Sequence, residues 1–88
     1  MSRSNEKCRA RRAFERDAAK YILGEVKSID LKGTGRQVRA ASDVLKKSRD
    51  LYRVLQSSAD LSECKQSLDA KRLAASQFRA VFGYAWPF

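Results

Sequence analysis

Between Thr34 and Ser58 the chain repeats apolar and small residues at the period of an α-helix: Val38, Ala41, Val44, Leu45, Ser48, Leu51, Tyr52 and Leu55. At 100° per residue these positions fill one side of a helix. Arg39, Lys46 and Arg53 are seven residues apart and fall on the other side, with Arg49 near its edge. Thr34 and Gln37 have the spacing of a capping box, in which the hydroxyl accepts the amide three residues on and the Gln side chain reaches back. Asp43 and Asp50 stand three or four residues from Lys46, Lys47 and Arg53. Such pairs support a helix by about 0.3 kcal/mol each. A helix with one apolar face has to be covered, so the segments on either side must supply its partners.

On the N-terminal side, Ser4 or Asn5 is placed to cap a first helix. Its apolar face reads Ala10, Phe14, Ala18, Tyr21, Ile22 and Ile29, with Val26 at the edge. The stripe is clear from Phe14 onward and poorer before it, so residues 1–8 are expected to form a frayed basic arm. Gly24 lies inside this helix and weakens it slightly. Asp30 to Arg36 is a short loop, with Gly33 suited to a left-handed residue at the end of the preceding helix. On the C-terminal side, Asp60 and Glu63 repeat the capping-box spacing and open a third helix. Its face is Leu61, Cys64, Leu68, Ala75, Phe78, Phe82 and Ala85, flanked by Leu73 and Val81 and interrupted by Lys71. Gly83 ends it, and an aromatic tail follows.

The expected helices therefore span about residues 9–29, 35–57 and 61–82, with the tail over 83–88. Strand-like alternation is missing, and with four glycines and one proline the chain has few breakers. Its 88 residues make a single domain. The expected fold is all-α: a small antiparallel three-helix bundle with a basic N-terminal arm.

Charge is the other strong signal. The chain carries +9 at neutral pH, with a sequence pI of about 10.1. That balance favours acidic partners: nucleic acid, an anionic lipid surface or an acidic protein surface. The excess is uneven. Residues 1–29 and 30–58 each contribute +4, residues 59–88 only +1. The densest cluster is Arg9, Arg11, Arg12 and Arg16, beside Lys7, and it would act with the ridge of Arg39, Lys46 and Arg53 in neutralising phosphates. Lys32-Gly-Thr-Gly-Arg36 adds two cations before a helix N-terminus, where free amides favour anions. It lacks the GxxxxGK[ST] spacing of a P-loop, and a plain turn is the preferred reading.

The C-terminal aromatics Phe82, Tyr84, Trp86 and Phe88 are candidates for base stacking or for anchoring a protein partner. The competing reading folds them back over the core. Catalysis has little support. The chain has no histidine, and Cys8, between Lys7 and Arg9, has no imidazole to serve as its base. No cofactor, metal or small-molecule substrate is expected. Cys8 and Cys64 are far apart and form no CxxC pair, which fits a reducing compartment. Residues 1–16 lack the apolar core of a secretory signal, and the acids Glu6, Glu15, Asp17 and Glu25 argue against a mitochondrial presequence. The expected location is intracellular: the cytoplasm first, with the mitochondrial matrix and the nucleus open. No apolar run is long enough to span a bilayer.

Two short stretches resemble known families. Ser48-Arg-Asp-Leu-Tyr-Arg-Val-Leu-Gln-Ser57, with Leu61-Ser-Glu-Cys-Lys-Gln-Ser-Leu-Asp-Ala70, resembles the N-terminal helical domain of the ATP synthase delta subunit over about a quarter of the chain. Ser58 stands where that family has Pro, and Leu61 adds a residue. Leu51-Tyr52-Arg53 is the tripeptide of the Leu-Tyr-Arg-motif family of mitochondrial accessory proteins, with Phe78-Arg79 downstream at a similar spacing. In that family the tripeptide sits in the first helix; here some fifty residues precede it. The two resemblances conflict and neither family is assigned, but both imply a helical adaptor that binds other proteins.

Function is thus read as non-enzymatic nucleic-acid binding through Arg/Lys-rich helix faces. The alternative is an adaptor or small subunit that uses the third helix and the C-terminal aromatics. Oligomeric state is left open.

Overall fold

The computed structural model describes residues 3–57 and 60–88, with side chains from residue 9 onward. Three helices form: α1 over Arg3–Ile22, α2 over Gly35–Gln56 and α3 over Leu61–Phe82. The all-α three-helix bundle is the fold of this chain, and the described residues contain no strand.

α2 begins where its capping box places it. Thr34 Oγ1 accepts the Gln37 amide at 3.2 Å, and Gln37 Oε1 accepts the Thr34 amide at 3.0 Å. Gly33, at φ +133°, makes room for this exchange. A Cβ there would lie 2.5 Å from Gln37 Oε1. Its role is therefore at the start of α2 and not at the end of α1. α3 is capped by Asp60, whose carboxylate accepts the Glu63 amide at 2.9 Å, and it ends on left-handed Gly83.

α1 departs from expectation at both ends. It is already helical from Arg3, so Ser4 and Asn5 lie within it and residues 3–8 are not an irregular arm. It stops at Ile22, seven residues early. Gly24 takes φ +83°, its amide donates to the Tyr21 carbonyl, and the Glu25 amide donates to the Lys20 carbonyl. That pair of hydrogen bonds is a Schellman motif, which ends a helix instead of merely weakening it. Ile29 still packs on the core, but from the connection.

The early stop changes the topology. The connection from α1 to α2 now has twelve residues, Leu23 to Thr34, which extended reach about 40 Å. That is enough to return along the roughly 30 Å of α1. Accordingly Arg11 and Phe14 share a depression with Gln37, Val38 and Ala41, whereas Ile22 and Leu23 lie beside Ser48 to Leu55. α1 advances along α2 in the same sense, and α2 and α3 make the antiparallel pair. Helices of 22 residues measure about 33 Å, so the 50 Å long axis of the molecule reflects staggered helices.

The helix contacts are lined with small residues: Ala18, Ala40, Ala41 and Ala74 are all buried. Alanines let backbones approach but leave volume unfilled, and the aromatics fill it. Phe78 is fully buried and stands 4.3 Å from Phe82, 5.0 Å from Trp86, 5.3 Å from Tyr84 and 6.4 Å from Phe14, centroid to centroid. α1 has no backbone-level packing on α3. It is joined to that helix through these rings.

Candidate nucleic-acid interface

The helical period sorts the cations of α1. Arg9, Arg12 and Arg16, with Lys20, fall within about 80° of one another, and all four are exposed. Phe14, Ala18 and Ile22 point the opposite way. No acidic residue shares that arc, into which Asn5 and Leu23 also fall, with Ala13 at its border. From Arg9 to Lys20 the stripe is about 16 Å long.

Arg11 does not belong to it. It lies about 200° from Arg9, on the core side, where its guanidinium sits 3.9 Å over the Tyr84 ring. Its Nε donates to Glu15 Oε1 at 3.0 Å. Arg11, grouped by the sequence with the phosphate contacts, thus stands apart from the stripe, and its charge is shared with an aromatic face and a carboxylate. Lys20 is the member that sequence reading missed, although its place four residues after Arg16 was visible. Lys7 and Cys8 lie outside the described side chains.

On α2, Arg36, Arg39, Lys46 and Arg53 are all exposed, opposite the buried Ala41, Val44, Leu45 and Ser48. They extend over about 25 Å. Among the described residues none of them is within 4.0 Å of a carboxylate. Arg49 is half-buried at the helix edge, 4.8 Å over the Tyr21 ring, and so helps to hold α1 to α2. Lys32 is exposed in the connection and borders the depression of about 1090 Å³ that Arg11, Asp17 and Asp30 also line. At the helix N-terminus the capping box occupies the Thr34 and Gln37 amides. The Lys32–Arg36 segment thus forms a capped turn. Because the α1 stripe and the α2 ridge each face away from the common core, they diverge around the bundle and do not form one flat patch.

The aromatic tail is folded back. Trp86 is 8% exposed, its indole N–H donates to the buried Ser48 hydroxyl at 2.9 Å, and Phe14 meets its ring edge-on at 6.0 Å. Trp86 is thereby corrected from a partner anchor to a core residue. Phe82 and Tyr84 are half-buried against Phe78, which leaves only Phe88 largely exposed, at 44%. Burial pushes the Tyr84 phenol above its usual pKa; the Arg11 charge partly offsets this, and Glu15 adds to it. Lys71, the interruption in the α3 stripe, donates to the Phe88 carbonyl at 3.3 Å. Its stem runs along the inner side while the ammonium ties down the tail.

Among the described residues no helix is long and apolar enough to cross a membrane. Compared with known proteins, the chain matches no family model, no curated protein and no solved structure, so neither short sequence resemblance grows into a family assignment.

Proposed function

We propose that the protein is a non-enzymatic nucleic-acid-binding module that engages the phosphate backbone through the α1 stripe and, separately, the α2 ridge. One observation carries the reading: Arg9, Arg12, Arg16 and Lys20 line a solvent face with no acid in its arc. A stripe that only kept the protein soluble would gain from interleaved carboxylates; α2 has them in Asp43 and Asp50, so the α2 ridge is the weaker of the two contacts. Phosphate contacts of this kind fix position and carry no sequence information. A stiff duplex meets one diverging stripe at a time. A flexible single strand can pass from one to the other and is the better fit.

The test is anisotropy with labelled duplex DNA and single-stranded RNA across salt. Each engaged phosphate contributes roughly −0.9 to the log–log slope on duplex and about −0.7 on a single strand. Arg12→Glu with Arg16→Glu should weaken binding at least tenfold at low salt and flatten the slope by about two contacts. Unchanged affinity in that double variant, with its circular dichroism intact, refutes the assignment.

A further inference from the structure

Five large apolar side chains are exposed among the described residues, and three of them line one groove. Leu23, Leu55 and Phe88 are 50%, 62% and 44% exposed and surround a depression of about 480 Å³, floored by Leu51 and Tyr52. The groove exists because α1 stops at Ile22. A longer α1 would have covered Leu55, which sits on the apolar face of α2 and is left open. No charged side chain lines it. Three lysines adjoin its lining residues: Lys20 lies in sequence between Ala19 and Leu23, Lys47 is one helical turn before Leu51, and the Lys71 ammonium reaches the Phe88 carbonyl. The acids nearest in sequence are Asp17, two residues before Ala19, Glu25, two residues past Leu23, and Asp50, which adjoins Leu51 but falls on the ridge side of α2 with Asp43.

We infer that this groove is a docking surface for an acidic amphipathic helix of a partner protein. Such a helix would seat large apolar side chains at i, i+3/i+4 and i+7 against Leu23, Leu55 and Phe88, with Asp or Glu flanking them toward the lysines. Three features select this occupant. The walls are half-exposed, whereas a small-molecule site encloses most of its ligand. The apolar contact is contiguous, as helix-in-groove recognition requires. A second copy of the chain would bring Lys20, Lys47 and Lys71 against themselves at a net charge of +9 each, so charge favours an acidic partner over self-association.

The experiment uses the full chain and three labelled synthetic helical peptides. One carries leucines on a single face flanked by glutamates, the second replaces the glutamates by lysines, and the third scrambles the first at constant charge. Saturable one-to-one binding of the first alone is expected. Leu55→Glu should weaken it about tenfold or more, and Leu55→Ser should weaken it less. Leu73→Ser, an equally exposed leucine away from the groove, should leave it unchanged. Equal binding of the acidic and scrambled peptides, or insensitivity to both Leu55 variants with circular dichroism intact, overturns the proposal. So does a concentration-dependent dimer abolished by Leu55→Glu, or preferential binding to anionic vesicles. Nucleic-acid affinity of Leu55→Ser reports separately on the α1 stripe, so failure of one reading is distinguishable from failure of the other.

Discussion

Replacing Trp86 by Ala tests whether the tail is part of the core. The indole is 8% exposed, meets Phe78, Phe14 and Phe88 at 5.0, 6.0 and 5.5 Å, and donates to Ser48, itself 5% exposed. Truncating a buried aromatic costs about 3–5 kcal/mol. The Ser48 hydroxyl would lose its partner, a penalty of roughly 1–3 kcal/mol when no water replaces it. The cavity left by the indole admits water, so most of that second cost is recovered and about 4 kcal/mol is the expected total. A chain of 88 residues has on the order of 4–13 kcal/mol of stability altogether. Trp86→Ala should therefore lower the urea midpoint by several molar, or leave the chain unfolded. Circular dichroism is the assay, because Trp86 is the sole tryptophan and the tryptophan fluorescence signal is lost with it. Trp86→Phe keeps a ring and should cost about 1–2 kcal/mol. Combined with Ser48→Ala, it should show a coupling near 1 kcal/mol, since removing both partners spares the orphaned group. A Trp86→Ala variant within about 0.5 kcal/mol of the parent would refute this assignment, because surface substitutions behave that way.

Gly24→Ala isolates the stop signal of α1. A Cβ there meets nothing within 4 Å, so only the left-handed backbone at φ +83° is penalised, by about 1–2 kcal/mol in a denaturation midpoint. A neutral or stabilising result would mean that α1 readily runs on past Ile22. Tyr84→Phe tests the alkaline limb. The folded phenol holds its proton where the unfolded chain, near pH 10, releases it. The folded state then binds more protons, and stability present below that pH is lost as pH rises through the folded pKa. The variant should show a shallower alkaline loss than the parent, and identical slopes would remove Tyr84 from the account.

The helical class and most of the core were legible because they rest on period alone. Val44, Leu45 and Ser48 are buried where the wheel of α2 places them, and Phe78 is buried where that of α3 places it. Ends were less legible. Gly33 and Gly24 are the same residue type near the same connection, and which one closes α1 depends on hydrogen bonds between carbonyls and later amides that no side-chain pattern encodes. Leu61 and Leu55 sit on apolar faces yet are 88% and 62% exposed. An amphipathic pattern says which way a residue points, but not whether a neighbour extends far enough to meet it.

The candidate site shows the same division. That Arg9, Arg12 and Arg16 share an arc while Arg11 faces away follows from 100° per residue and needed no structure. What Arg11 does on the far side depends on where the tail goes. Tyr84 comes under the guanidinium because Gly83 turns the chain back and Trp86 enters the space left by the alanine-lined helix contacts. One packing event thus gives Arg11 its aromatic partner and takes a tryptophan from the exposed surface. With Trp86 inside, an adaptor role has to rest on other residues. The early end of α1 leaves such a surface at Leu23 and Leu55, beside the tail's last ring and next to the Lys20 end of the cationic stripe.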